Sequence, residues 1–362
     1  MEITLGSDPE AFFIKSGSVY PAALAFEEYI GNNVVDLPTG SIIVDGVAIE
    51  FQPYAATEPE EVVHNLKPLL KFGYEMSKET NVELRVIPEY PFDLKWCESD
   101  PSLGEFGCSP DVSAWGDECL PATIDASKHP WRYAGCHIHI GVAGNPGYFN
   151  DTAVIERVSK SLDRTVGLTA MVLNRNLDRR RRSIYGRPGI YRHQPWGMEY
   201  RTPGNILLNK PTTMKFIFKL TKKVVELSEE HYKTMEAIVP DDILLQTLRG
   251  DDLNLAYELY LRMANVFCLD KVPSGGDAWQ EAWGFVKSPR KKRISSIDSI
   301  FEEHLPQAHG NLGAQLRTAR ANISASIPFQ EMPIPEMPEM EEMRLRESSR
   351  PYNVTSIAIE EV

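Results

Sequence analysis

Long hydrophobic runs are missing from this chain of 362 residues. No stretch approaches the roughly 18 consecutive apolar residues of a transmembrane helix, so no membrane span is expected. The opening Met1-Glu2-Ile3-Thr4-Leu5 lacks the basic and apolar regions of a secretory signal, and the expected location is the cytoplasm. Cysteine is scarce. Cys97, Cys108, Cys119, Cys136 and Cys268 form an odd set without a C-x-x-C pair, which argues against a disulfide framework or a zinc ribbon. No P-loop and no G-x-G-x-x-G occurs, so nucleotide binding by those routes is not indicated. Positive charge is also short: 38 Lys and Arg face 51 Asp and Glu, a net −13. That balance argues against nucleic acid or an anionic membrane as a general partner. What remains, 42% hydrophobic and 25% charged residues, suffices for a globular core.

The pattern along the chain is strand-rich first and helical later. Ile42 to Val44 and Val47 to Phe51 flank an Asp45-Gly46 turn signal and predict a hairpin. Thr57-Glu58-Pro59-Glu60 reads as a capping box. Val62, Leu66, Leu69, Leu70 and Met76 follow at helical spacing to about residue 78, across Pro68. Residues 82–87 and Cys136 to Gly141 read as strands. Asp151 begins a helix running to about 173, and Met198 to Thr202 is a further strand. Between them, 91–134 and 175–196 read as long loops, which in a compact domain are usually functional. From 211 to about 285 the pattern is helical, with breaks near Gly250 and at Ser274-Gly275-Gly276. Residues 287–293 form a basic surface loop. The expected division is one catalytic domain over 1–327, with site strands within 1–205 and a helical elaboration over 206–327. A Met-, Pro- and Glu-rich arm, 328–362, follows; it cannot build its own core and suggests exchange between subunits of a homo-oligomer.

The strands share an anomaly. Side chains alternate between the two faces of a strand, so Cys136, Ile138 and Ile140 share one face and His137 and His139 the other. By the same rule Glu50 opposes Val47, Ile49 and Phe51. Glu199 and Arg201 share a face, as do Asp8 and Glu10. Asp45 lies five before Glu50 and can join it only if the turn or a bulge redirects it. If the strands belong to one sheet, their polar faces line one concave surface. So many carboxylates can share a site in ionised form only beside cations. Hard ions such as Mg²⁺ or Mn²⁺ suit oxygen donors with one imidazole.

Arginine supplies the second anomaly. Between Asn174 and Arg201, eight arginines face Asp178 and Glu199, a net +6 without a lysine. Arginine in place of lysine points to bidentate recognition of phosphate or carboxylate oxygens. A helix C-terminus accounts for Arg179 to Arg181. It accounts less well for Arg182, Arg187, Arg192 and Arg201.

Taken in order, Gly6-Ser7-Asp8-Pro9-Glu10, Asp45-Gly46-Val47-Ala48-Ile49-Glu50-Phe51, Phe106-Gly107-Cys108-Ser109-Pro110-Asp111, Gly135-Cys136-His137-Ile138-His139, Arg182 to Arg192 and Gly197-Met198-Glu199-Tyr200-Arg201 resemble the phage-type carboxylate–amine ligases. These type-2 amidoligases belong to the glutamine-synthetase-like superfamily, with glutamate–cysteine ligase. The resemblance implies an α+β fold: a curved antiparallel sheet, or partial barrel, with helices outside. It implies ATP and Mg²⁺ (or Mn²⁺) as cofactors and an amide formed from a carboxylate and an amine through an acyl phosphate. The acid would be a small molecule or peptide, and the location the host cytoplasm if a phage encodes the chain. By motif, Asp8, Glu10, Glu50, His137 and Glu199 would be metal ligands. His139, Arg187, Arg192 and Arg201 would hold nucleotide phosphates, with Arg182, Arg192 and Arg201 as catalytic clamps. Asp8 departs from the family's Glu, and its shorter arm implies contact with its metal through water. Cys108 and Asp111 are candidates for an acceptor pocket. Two other readings stand beside this one. The first is a kinase of amines or guanidines, or a metal-dependent hydrolase using His137 and His139. The second is a non-catalytic assembly protein built on the same scaffold.

Overall fold

The computed structural model describes residues 1–29, 34–105, 112–116, 124–273 and 279–286. Cys108, Asp111, the break at 274–276, the basic loop 287–293 and the arm 328–362 lie outside them. Strands β1 (Ile3–Ser7), β2 (Glu10–Lys15), β3 (Ser18–Tyr20), β4 (Val34–Leu37), β5 (Gly40–Asp45), β6 (Ala48–Pro53), β7 (Glu83–Arg85), β8 (Glu89–Pro91), β9 (Val112–Ser113), β10 (Trp131–Tyr133), β11 (Ile138–Val142), β12 (Ile190–Gln194) and β13 (Gly197–Tyr200) pair antiparallel. One sheet runs β1-β11-β13-β12-β9. A second runs β3-β2-β6-β5-β4, with β7 also on β2, and β8 pairs β10 separately.

The two larger sheets meet where β1 passes into β2 through Asp8-Pro9. Leu5 and Ala56 exchange two backbone bonds of 2.7 and 2.9 Å, Phe51 N–H donates to Pro9 O at 3.0 Å, and Glu10 N–H donates to Gly135 O at 2.9 Å. The joined surface is a curled antiparallel half-barrel with helices, as expected for the α+β class. One core lies on the face opposite the polar residues of its strands. Leu5, Ile138, Ile140, Met198 and Tyr200 from the first sheet, and Ile42, Ile49 and Phe51 from the second, are buried there together.

The helices are α1 (Ala22–Tyr29), α2 (Pro59–Glu79), α3 (Lys95–Ser99), α4 (Thr152–Leu162), α5 (Leu168–Asn174), α6 (Arg179–Ile184), α7 (Pro211–Ile238), α8 (Asp241–Arg249), α9 (Leu253–Phe267) and α10 (Trp279–Ala282). Helix α2 buries the whole expected stripe, Val62, Leu66, Leu69, Leu70 and Met76. Burying side chains of this size contributes about 1.5–3 kcal/mol each, which outweighs the ~3 kcal/mol cost of a proline inside a helix. That is why α2 runs through Pro68 rather than ending there. The expected capping box does not form. The N-cap is Glu58 rather than Thr57 and makes no side-chain cap bond, and Glu60 pairs with Lys215 of α7 at 2.8 Å.

Two further expectations are corrected. The helix from Asp151 is interrupted by a π turn, Asp163–Gly167, between α4 and α5. The arginine segment is not a loop: it holds α6 and β12.

Candidate active site

Register builds the site. Residues directly opposed across an antiparallel pair share a face. Gly6 opposes His139, His139 opposes Glu199, and Glu199 opposes Arg192, so four strands contribute one row. Two residues along, His137 and Arg201 meet, with Arg201 Nη1 3.2 Å from His137 Nδ1. In the second sheet Glu10 opposes Glu50. Asp45 joins them through the hairpin. The loop is Gly46-Val47, so Asp45 opposes Ala48, two residues from Glu50 and on its face. The turn thus supplies the redirection that a single strand could not.

Asp8 sits where the sheets meet. Its Oδ1 lies 3.0 Å from His137 Nδ1 and its Oδ2 3.3 Å from His139 Nε2. Neither Asp8 Oδ1 nor His139 Nε2 makes a well-aligned hydrogen bond at these distances. Burial works against the Asp8 carboxylate, yet the two imidazoles outweigh it and hold Asp8 well below the usual range. Burial lowers His137, reinforced by the Arg201 charge. It opposes protonation of His139 too, but there Asp8 prevails and the net shift is upward. Glu199 Oε2 accepts from Arg201 Nη1 at 2.8 Å and lies 3.6 Å from Arg192 Nη1, while Gln194 donates to Oε1.

The other carboxylates are held differently. Burial pushes Glu50 up to about 9, aided by the charges of Asp8 and Glu10 and opposed by a 2.5 Å bond from Gln52 Nε2. Glu10 is pushed up to about 7 by burial, against the Gly135 N–H that donates to its Oε2 at 2.5 Å. Gly135 must be glycine here. Its Cα runs so close to His137 that a Cβ would lie 2.4 Å from Nε2.

Two donor sets result, Asp8–His139–Glu199 and Glu10–Asp45–Glu50. Within each, one donor atom per residue lies within 4.8 Å of the others. These sets fit hard divalent cations: they are oxygen-rich, and in the second set burial pushes Glu10, Asp45 and Glu50 all upward, so that their ionised forms call for a compensating charge. A cavity of about 580 Å³ opens over the first set, lined by Asp8, His139, Glu199 and Arg192, and reaches the second at Glu50. The exposed rings of Tyr54 and Trp196 line it as well, and Trp196 stands 5.0 Å from the His139 ring.

The sequence-based site is therefore redistributed. Asp8 and Glu10 do not act from one strand, because the chain changes sheets at Pro9 and sends each carboxylate to a different set. His139, not His137, stands with Asp8 and Glu199, while His137 lies beneath among Asp8, Arg201 and Gly135. Arg192 reaches the cavity. Arg187 is half-buried before β12 and does not line it.

Arg182 is not at the cavity either. It is buried against Asp178 at 3.0 Å and donates to the carbonyls of Leu248 and Gly250 and to Asn176. Breaking such a buried pair costs about 3–5 kcal/mol. Arg182→Met is therefore expected to lower the unfolding free energy by that amount in a denaturant titration, and an unchanged midpoint would return Arg182 to the substrate side.

Sequence reasoning also missed Arg181, assigned to a helix-end run. It is 1% exposed and donates to the carbonyls of Thr202 at 2.7 Å and Arg201 at 3.1 Å, bracing the end of β13. Gln52, Gln194 and Trp196 carried no signal beyond proximity to the motifs.

The half-barrel is thus an α+β fold that gathers carboxylates, imidazoles and arginines on one face. Residues 126–246 match the model of the phage phiEco32-like COOH.NH2 ligase, type 2, and over that segment the chain is similar to a family of ligases. This is the family whose motif order the chain resembles, and the matched segment holds β11, β12 and β13. No curated protein matches the chain. Among the described residues no helix is long and apolar enough to cross a membrane.

Proposed function

We propose that the protein is an ATP- and Mg²⁺-dependent ligase that joins a carboxylate to an amine through an acyl phosphate. The observation that carries this reading is the pair of oxygen-rich donor sets, one of them lining a cavity with Arg192 and the other reaching it through Glu50. Asp8, His139 and Glu199 would hold one cation, and Glu10, Asp45 and Glu50 another. Bound there, the cations supply neutralisation of phosphate charge. Phosphoryl transfer asks mainly for such positioning and electrostatics.

The chain's own residues then divide the work. Arg192 at the cavity and Arg201 beneath it, both on the Glu199 carboxylate, supply the positive charge facing a phosphoryl group in flight. Asp8 orients both imidazoles. The substrate carboxylate oxygen attacks the γ-phosphorus and ADP leaves. The amine nitrogen then displaces phosphate, loses its proton and forms the amide. The acid is a small molecule or a peptide.

Incubation with pooled acids and amines, followed by mass spectrometry, tests the reading. ADP, phosphate and amide are expected in equal amounts, only when the amine is present. AMP with pyrophosphate, a phosphorylated product without amide, or turnover without ATP would each overturn it.

A further inference from the structure

Behind the site, on the core side of the first sheet, one carboxylate joins three pieces of chain that the proposed mechanism does not use. Asp163 is fully buried in the π turn. Its Oδ1 accepts from the Tyr200 hydroxyl at 2.6 Å, and its Oδ2 accepts from Trp115 Nε1–H at 2.6 Å. The Gly189 N–H donates to it as well. Each partner belongs to a different part of the site scaffold. Tyr200 lies between Glu199 and Arg201 on β13. Gly189 is the turn that launches β12, the strand of Arg192. Trp115 follows β9, whose Ser113 pairs Ile190 of β12.

The surroundings are shaped for this junction. Gly167, at the end of the π turn, leaves room for the tyrosine: a Cβ there would sit 3.0 Å from the Tyr200 hydroxyl. Gly189 has a φ of +70°, and a Cβ would lie 2.4 Å from Trp115 Cδ1, so only glycine lets the indole reach Asp163. An extra residue per turn in a helix is costly, and such turns persist where they place a side chain. Here the wide turn puts Asp163 under both rings.

From this we infer that Asp163 is a positioning residue. It holds β12 and β13 at the spacing that keeps Arg192 of β12 beside Glu199 of β13, and through Tyr200 it anchors the stretch that carries both Glu199 and Arg201. The inference rests on the ligase reading for its kinetic consequence, but not for its geometry.

Four variants test it: Asp163→Leu, Asp163→Asn, Tyr200→Phe and Trp115→Phe, each as the full chain. Two readouts are used, steady-state ATP consumption and Mn²⁺ binding followed by electron paramagnetic resonance. Asp163→Leu and Tyr200→Phe should lower kcat by about 10- to 100-fold while KM for ATP moves less than about threefold, the pattern of a contact tightened in the transition state. Mn²⁺ should bind about tenfold more weakly, since Glu199 is displaced. Trp115→Phe should show a smaller loss of the same kind. Asp163→Asn should recover most of the loss, because its amide can accept from one ring and keep the other in place. Combining Asp163→Leu with Tyr200→Phe should add little to Asp163→Leu alone.

Wild-type kcat and Mn²⁺ affinity in Tyr200→Phe would overturn the inference. So would an Asp163→Asn as damaged as Asp163→Leu, since charge rather than position would then matter. If Asp163→Leu fails to fold, Tyr200→Phe, which loses only a hydroxyl, carries the test. If the wild-type protein consumes no ATP, the ligase reading falls, and the Mn²⁺ measurement still decides the role of Asp163.

Discussion

Glu50→Gln is expected to lose ATP-dependent amide formation by at least about a thousandfold while the metal-free chain, at pH 8, becomes more stable than the wild type. The two halves of this result have one cause. Glu50 is held up to about 9 by burial and by its neighbours Asp8 and Glu10, so in the absence of cations it is protonated at neutral pH. Glutamine copies that neutral form, and it keeps an oxygen for the bond from Gln52. It cannot become the anion that a divalent cation requires. Lost charge at a site built for phosphoryl transfer costs factors of this size. Activity assays with a melting curve on the same sample check both halves. A dead enzyme that is also strongly destabilised would mean that Glu50 serves the fold instead.

Stability of the metal-free chain should fall as pH rises from about 5 to about 9, and Mg²⁺ should remove most of that slope. Glu50 and Glu10 lie at about 9 and about 7 in the folded chain, against an ordinary glutamate value of 4.5. Asp45 is shifted the same way, by burial first. A carboxyl raised on folding makes the folded state bind more protons than the unfolded state above that ordinary value. Its stabilising contribution is complete below the ordinary value and is lost as pH climbs through the folded value. The histidines move in opposite directions, His137 down and His139 up, so their contributions oppose each other. Asp8, held low, contributes throughout this window and loses its contribution only in acid. The net loss across the window is on the order of a few kcal/mol. Cations bind the ionised carboxylates, release protons, and should raise Tm far more at about pH 8 than at about pH 5.5. A flat metal-free profile, or equal Mg²⁺ stabilisation at the two pH values, would show that the carboxylates are not uncompensated in the folded chain.

Much of this site is legible in the order of residues alone. Period-two alternation puts His137 and His139 on one face, and Glu199 with Arg201 on another, because a strand's side chains alternate whatever surrounds it. The stripe of α2 is legible for the parallel reason that 3.6 residues per turn brings its apolar residues onto one side. The order of motifs points to the family that residues 126–246 match.

Other features lie outside any local pattern. Arg181 and Arg182 look alike in sequence and both become buried, one against the Arg201 and Thr202 carbonyls just past β13 and the other against Asp178 and the end of α8. Nothing in a run of four arginines says which carbonyls will arrive beside each. Asp163 gives no sign of its role, since its partners Trp115 and Tyr200 are 48 and 37 residues away.

By itself, then, the sequence determined the helix stripes and which side of each strand would be polar, both set by local geometry and the burial of apolar surface, and the fold class came from the resemblance that its motif order carries. Only the tertiary structure decided how the polar residues combine. It separated Asp8 from Glu10 at the Pro9 crossing, brought Asp45 to Glu50 through a two-residue loop, and set His139 rather than His137 beside Glu199. Those outcomes depend on which strands become neighbours and in what register, and long-range pairing is fixed by the assembled core rather than by any one segment.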